Sequence, residues 1–130
     1  HAPVIVEDTS LYFNAWNKLP GPLIKWFLEG MGLEGLVKAL SPFEDKSAHA
    51  VCCLALTDDG KNIHFFEGKI KGLIVEPRGS RKFGWDAIFQ ATGKQETFSE
   101  MSIKEKNHIS PRGIAAAKFK KFLRLRATRK

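Results

Sequence analysis

The spacing of hydrophobic and polar residues predicts an alternation of strands and helices. The run PVIVED predicts a buried strand that ends in two carboxylates, Glu7 and Asp8. LPGPLIKWFLEG has apolar residues at helical spacing, a proline suited to a first helical turn and a glycine suited to a helix end, so it predicts a helix. LEGLVKAL predicts a second, short helix.

The second half of the chain predicts a hairpin followed by a long helix. SAHAVCCLAL is too continuously apolar for a half-exposed strand, TDDGKN supplies a turn, and IHFFEGKIKGLIV returns as a strand. Ser110 and Pro111 suit a helix start, after which four residues are predicted to face the core: Ile114, Ala117, Phe122 and Leu125. These elements predict an α/β fold, with a mixed central sheet flanked by helices, in a single domain spanning residues 1–130.

Charge is unevenly distributed along the chain. Nine basic residues and no acidic ones lie between Lys106 and Lys130, which gives the last helix and a tail at 124–130 a basic character. Such a segment is typical of nucleic-acid binding, of a polyphosphate site or of a solvated helix face. Charge alone leaves all three interpretations open.

Three features bear on location and completeness. The sequence contains neither an apolar run of the ~20 residues that a membrane-spanning helix needs nor a signal-peptide pattern at its start. Cys52 and Cys53 are adjacent in a predicted strand, so their side chains point to opposite faces and are poor candidates for a disulfide. Two buried thiols predict a reducing, cytoplasmic setting. The chain starts with His1 rather than Met, almost inside a strand, which we interpret as an N-terminal truncation.

One glycine motif is excluded by its context. GMGLEG, at 30–35, fits the G-x-G-x-x-G pattern of dinucleotide-binding sites, but it follows a predicted helix where that pattern needs a preceding strand. We therefore interpret these glycines as a helix end and a turn.

Five charged residues suit a site for a metal ion and a polyphosphate. Glu7 and Asp8 offer hard oxygen ligands that can hold Mg²⁺ or deprotonate a water molecule, but Asp8 is equally suited to capping the next turn. Lys25 lies on the first predicted helix, where a surface lysine is the ordinary alternative. Lys106 and Arg112 bracket the start of the last helix, where the helix dipole favours anions.

The segment KFGWDAIFQ, at 82–90, concentrates aromatic residues and a carboxylate directly after the loop EPRGSR. The aromatic rings either close the end of a core or form a wall for a flat, hydrogen-bonding ligand. The segment alone does not decide between these interpretations.

Four motifs in consecutive order resemble the inosine triphosphate pyrophosphatase family, in its eukaryotic type: VIVEDTSLYFNAW, LPGPLIKWFLE, GLIVEPRGSRKFGWDAIF and EMSIKEKNHIS. The similarity extends from about residue 3 to residue 122. The family hydrolyses unusual purine nucleoside triphosphates, such as those of inosine, deoxyinosine and xanthosine, to the monophosphate and pyrophosphate. The resemblance therefore implies a hydrolase of nucleotide-pool sanitation that uses Mg²⁺, or Mn²⁺ in its place, and forms a homodimer.

The resemblance also implies roles for individual residues. Asp8, with Glu7 beside it, corresponds to the acidic pair that holds Mg²⁺, and Asp8 is the implied catalytic residue that polarises the attacking water. Substrate contacts are implied for eight residues: Thr9, Lys25, Phe83, Gly84, Trp85, Asp86, Lys106 and Arg112. The FGWD segment would form a wall against the purine, and Asp86 would read the purine edge, because buried polar groups left unpaired reject adenine.

Two departures from the family pattern lower the expected activity. The family has a strand and a phosphate-binding loop upstream of its acidic pair, which are absent here, and Pro111 stands where the family has a base-contacting histidine. The sequence therefore predicts a weak catalyst. The alternative is a catalytically inactive binding module that uses the basic C-terminal helix and tail to bind nucleic acid.

Overall fold

The computed structural model describes residues 2–128, which form one five-stranded sheet and three α-helices. The strands are β1 (Val4–Phe13), β2 (Pro20–Gly21), β3 (Ser47–Thr57), β4 (His64–Ile74) and β5 (Phe89–Ala91), in the order β2-β1-β3-β4-β5. The helices are α1 (Ile24–Leu40), α2 (Ile103–Ile109) and α3 (Pro111–Thr128). This arrangement confirms the predicted α/β class.

Every strand pairing in the described part of the chain is antiparallel, where the sequence predicted a mixed sheet. The central strand β3 pairs with β1 along ten residues and with β4 along the other side. The predicted hairpin between β3 and β4 is confirmed. β3 and β4 are antiparallel because a short turn joins them, which needs no crossover helix.

Strand β1 is longer and more exposed than its sequence predicted. It continues to Phe13, because its pairing with β3 is unbroken from Val4 opposite Thr57 to Phe13 opposite Ala48. Glu7 and Asp8 therefore lie in the middle of the strand, not at its end. The first residues are exposed rather than buried, since β2 pairs only with Leu11 and Tyr12 and leaves the outer edge of β1 open before them.

Both long helices pack on the same face of the sheet. Strand alternation places the odd-numbered residues of β1 and the even-numbered residues of β3 and β4 on this face. Helix α1 covers it beside Leu11 and Phe13, and α3 covers it beside Cys52 and Leu54. The opposite face carries Val6, Ala55 and Phe65 in a row across three strands, and no helix of residues 2–128 packs there.

The buried side chains form two separate clusters under these helices. The first cluster joins α1 to β1, β3 and the segment 85–98. The second is smaller and joins α3 to β3 and β4 through Cys52, Leu54, Leu56, Phe66 and Ala115. We define these as the α1 core and the α3 core.

The face that α3 packs against the sheet agrees only in part with the predicted one. It consists of Ala115, which is buried, and of Phe119 and Phe122, which are half-buried. Of the four predicted residues, Phe122 lies in this stripe and Ile114 is half-buried, whereas Ala117 and Leu125 are exposed. The cause is the close approach of the helix to β4 at Gly68, which fixes the rotation of α3 about its axis. The prediction was wrong for Ala117 and Leu125 because helical spacing allowed more than one apolar stripe.

Three smaller features complete the comparison with the sequence. The glycine motif breaks helix α1, since Gly32 has φ 72°, as the predicted helix end and turn require. Helix α2 was not predicted; it begins after Ser102, whose hydroxyl accepts a hydrogen bond from the Glu105 amide at 3.1 Å. The predicted tail at 124–130 is helical to Thr128, and Arg129 and Lys130 lie outside the described residues. No helix in 2–128 has the length and hydrophobicity to span a membrane.

Candidate functional site

A cleft of about 300 Å³ lies on the helix-bearing face of the sheet, between the α1 core and the α3 core. Its walls come from five parts of the chain: β1, the segments before and after β5, helix α2 and the start of α3. The lining residues are Thr9, Phe83, Gly84, Trp85, Asp86, Phe98, Lys106, Asn107, Ser110, Pro111 and Arg112.

The FGWD segment at 83–86 is held in place by backbone and side-chain hydrogen bonds on both sides. The amide of Arg78 donates to the carbonyl of Ala87 at 2.9 Å, and its guanidinium donates to Gln90 at 2.6 Å and to Glu100 at 3.1 Å. The Thr97 amide and then the Arg78 side chain lower the pKa of Glu100, so this carboxylate stays ionised at neutral pH. Arg78 thereby fixes one wall of the cleft.

The two aromatic residues of FGWD have different environments. Trp85 is 8% exposed and packs edge-on against Phe89 with ring centroids 5.4 Å apart, in the α1 core. Phe83 is 63% exposed and presents its ring to the cleft. Trp85 therefore fits the interpretation that the aromatic rings close the core. Phe83 fits the interpretation that they form a wall for a ligand, because its ring is exposed.

Lys106 and Asp86 form an ion pair at the base of the cleft. Their side chains are 29% and 11% exposed, respectively. The ammonium group also lies 5.8 Å from the ring centroid of Phe83 and 5.9 Å from that of Phe98, within the range of a cation–π interaction. A carboxylate, an ammonium group and an aromatic ring thus meet at one point.

The junction of α2 and α3 depends on two glycines. A Cβ atom on Gly68 would lie 1.9 Å from the carbonyl oxygen of Pro111, and one on Gly113 would lie 1.8 Å from the carbonyl oxygen of Asn107. The Gly113 amide also donates to the hydroxyl of Ser110 at 3.0 Å. These close approaches seat the first turn of α3 directly on β4.

Arg112, in that first turn, is paired with Glu7 across the mouth of the cleft. Its Nε–H donates to Glu7 Oε1 at 2.8 Å, and Nη2 lies 2.5 Å from the same oxygen. Glu7 reaches Arg112 because odd-numbered residues of β1 face the helices, as Thr9 also does.

The cleft unites seven of the residues for which the resemblance implied contacts with the substrate and leaves three predicted residues out of its lining: Asp8, Lys25 and Glu7, which touches it only through Arg112. Those inside are Thr9, Phe83, Gly84, Trp85, Asp86, Lys106 and Arg112. Asp8 points to the opposite face of the sheet, because it neighbours Glu7 in an unbroken strand. Lys25 lies on exposed α1 surface, with its ammonium group 5.7 Å from the ring of Trp26.

Three cleft residues were not singled out in the sequence: Phe98, Asn107 and Ser110. Ser110 had been interpreted only as a helix start. Asn107 immediately follows Lys106 in helix α2, so a prediction of that helix would have indicated it. Phe98 had no local signal, because its segment carries no periodic pattern and it reaches the cleft by packing on Phe89.

The chain matches known proteins over most of its length. The profile of the Ham1 family matches residues 1–122. Proteins named inosine triphosphate pyrophosphatase are similar, with 51% identity over 122 residues for that of Candida albicans and 48% over 122 residues for that of Schizosaccharomyces pombe. Each alignment covers 93% of this chain, and the chain spans 60% and 65% of the length of these two relatives.

Solved structures give the same result for the fold. The Ham1 protein of Staphylococcus aureus has a TM-score of 0.86 at 26% identity, and a HAM1 protein of Coxiella burnetii has a TM-score of 0.85 at 30% identity. The alignments cover 95% and 94% of this chain and 67% of each of those chains.

Proposed function

Because the chain belongs to the Ham1 family, we propose that its cleft binds a purine nucleoside triphosphate and that the protein hydrolyses such nucleotides to the monophosphate and pyrophosphate. The names of its relatives suggest inosine triphosphate as a substrate, and the resemblance implies the triphosphates of deoxyinosine and xanthosine as well. One observation carries the proposal: an exposed aromatic ring, a nearly buried carboxylate and two cationic side chains line a single cleft.

Each group has a part in binding. The ring of Phe83 offers a flat surface for the purine, and Asp86 accepts a hydrogen bond from the N1–H group that a 6-keto purine carries and adenine lacks. Arg112 neutralises the phosphates and α3 adds the positive end of its dipole, while Lys106 stays paired with Asp86 and holds that carboxylate beside the purine. In hydrolysis, Arg112 and the helix dipole stabilise the negative charge that develops as water displaces pyrophosphate from the α-phosphorus.

The Mg²⁺ ion that the resemblance implies does not fit the described residues alone. No group of three His, Cys, Asp or Glu side chains in 2–128 lies close enough together to hold a metal. Glu7 is bound to Arg112, and Asp8 faces the other side of the sheet. We therefore derive no step through the ion, and the implied roles of Glu7 and Asp8 as metal ligands remain predictions.

The basic helix supports nucleic-acid binding less well. Lys118 donates to the carbonyl of Glu67 at 2.6 Å and Arg126 is paired with Asp58, so two of its cations are already engaged with the sheet. A cytoplasmic location and a homodimer belong to the proposal as implications of the resemblance.

The test is a comparison of inosine, xanthosine and adenosine triphosphates in a binding titration and in a pyrophosphate-release assay. The proposal predicts tighter binding of the two 6-keto nucleotides than of adenosine triphosphate, by about 10-fold or more, and release of one pyrophosphate per nucleotide. Equal affinity for all three, with a steep loss of affinity in salt, would instead support a general polyanion-binding surface.

Asp8→Asn tests the catalytic role that the resemblance implies for Asp8. Because Asp8 lies outside the cleft, the variant should bind inosine triphosphate as the unmodified protein does. Loss of pyrophosphate release with binding retained supports the role, and undiminished release removes Asp8 from it.

A further inference from the structure

The contact between Glu7 and Arg112 joins a residue fixed in the sheet to a flexible side chain at the mouth of the cleft. Glu7 lies in the middle of β1, where its backbone is held by pairing with Leu54 of β3. Arg112 is 69% exposed and would sample many rotamers without a partner. The carboxylate oxygen Oε1 accepts a hydrogen bond from Nε, and Nη2 lies 2.5 Å from the same oxygen, so Glu7 contacts the guanidinium group at two of its three nitrogens and fixes its plane.

We infer that Glu7 is a positioning residue that orients Arg112 for an anionic group of the nucleotide, rather than a ligand for a metal. The inference rests on the proposed function. A guanidinium group has five N–H donors; Glu7 accepts from the one at Nε and contacts Nη2, which leaves both donors of Nη1 for a phosphate. Carboxylates orient metal-binding histidines in the same way, because they fix the side chain before it binds its ligand.

The positioning role predicts a change in binding affinity opposite to the one that electrostatic repulsion alone predicts. A negative charge beside an anion site repels the anion, so its removal should tighten binding if charge alone mattered. If orientation matters, Glu7→Gln should weaken binding by roughly 2- to 10-fold, the range expected from having to order one long side chain on binding. The sign of the change therefore separates the two effects.

The chain offers a matched control on the same helix. Asp58 and Arg126 form a carboxylate–guanidinium pair at 2.5 Å outside the cleft, and the carboxylate side chain is about as exposed as that of Glu7. Asp58→Asn removes the same type of charge from the same type of pair. It should leave anion binding nearly unchanged if the effect of Glu7 is specific to Arg112.

The experiment measures the binding of inorganic triphosphate by calorimetry in metal-free buffer, for the unmodified protein and for Glu7→Gln, Arg112→Lys, the double variant and Asp58→Asn. Arg112→Lys should weaken binding roughly 10-fold or more, because the planar guanidinium donors are lost. Adding Glu7→Gln to Arg112→Lys should weaken it no further. In the free protein, the Arg112 Nε–H signal in an NMR spectrum should exchange slowly with water, and Glu7→Gln should abolish that protection.

The outcomes are distinguishable. Tighter or unchanged triphosphate binding in Glu7→Gln overturns the positioning role and leaves the proposed function standing. The same holds if, in a separate titration of inosine triphosphate with added Mg²⁺, Glu7→Gln raises the Mg²⁺ concentration needed for binding, since that identifies a metal ligand. No binding of triphosphate or of inosine triphosphate by the unmodified protein overturns the proposed function and, with it, the role of Glu7.

Discussion

The ammonium group of Lys106 lies between the rings of Phe83 and Phe98 and is paired with the carboxylate of Asp86, twenty residues earlier in the chain. The pair links helix α2 to the segment before β5 and forms the base of the cleft. Both side chains are largely shielded from water, so each charge depends on the other.

Lys106→Met should lower the free energy of unfolding by about 1–3 kcal/mol, because it leaves the carboxylate of Asp86 without its charged donor. The methionine keeps the apolar stem against the two rings. The double variant Lys106→Met/Asp86→Asn should recover part of the loss, which urea unfolding of both variants measures. Lys104→Met, on the exposed side of the same helix, is the control and should change little. Additive effects of the two substitutions would contradict the coupling.

Trp85→Ala and Phe83→Ala should separate folding from binding. Trp85 is buried in the α1 core, so its truncation should cost about 3–5 kcal/mol of unfolding free energy. Phe83 is exposed, and its truncation should leave stability within roughly 0.5 kcal/mol while weakening the binding of inosine triphosphate. Urea unfolding and a nucleotide titration check both. A stable Trp85→Ala protein would place the indole outside the core.

Gly68→Ala should displace helix α3, because the new methyl group would meet the carbonyl oxygen of Pro111 at 1.9 Å. We expect a loss of at least about 1–3 kcal/mol in unfolding free energy and weaker nucleotide binding, since Arg112 lies in the displaced turn. Gly30→Ala is the matched control: nothing lies within 4 Å of its Cβ position, and a helical alanine should stabilise slightly. Equal effects at the two positions would refute the close packing at Gly68.

The hydrogen bonds of the Asp59 carboxylate, in the turn between β3 and β4, should stabilise the protein only above strongly acidic pH. Amide groups of Asn62 and Lys61 and the Asn62 side chain lower the pKa of Asp59 to about 2. Because this value lies below that of the unfolded chain, the contribution is complete above about pH 4 and is lost as the pH falls through about 2. The difference in unfolding free energy between the unmodified protein and Asp59→Asn should therefore shrink over that range. An NMR titration of the Asp59 carboxyl that centres near 3.8 would contradict this.

Hairpin and helix starts could be predicted from the sequence because their signals are local. Asp59 and Gly60 define the turn between β3 and β4, and Pro111 suits a first helical turn wherever the helix packs. The end of β1 was misplaced because its apolar run stops at Val6 and two carboxylates follow it. Its true extent depends on β3, forty residues later, which continues to offer hydrogen bonds as far as Ala48.

The cleft could be predicted only in part, for a related reason. Motifs identified Phe83, Asp86, Lys106 and Arg112, and these residues do meet. The ion-pair partner of Arg112 could not be predicted from the sequence. Arg112 contacts Glu7, 105 residues earlier, because α3 is seated on Gly68, and no spacing in the sequence indicates this contact. The same seating decided which residues of α3 are buried.

The presence of two cores has a consequence for local opening of the chain. Helix α3 is held by a core of few side chains, so its amide hydrogens should exchange with solvent through a partial opening that leaves the α1 core intact. A nucleotide in the cleft contacts both halves and must leave before α3 can detach. Protection of α3 amides should therefore rise with nucleotide concentration more than protection of α1 does, which makes hydrogen exchange in this one helix a measure of cleft occupancy.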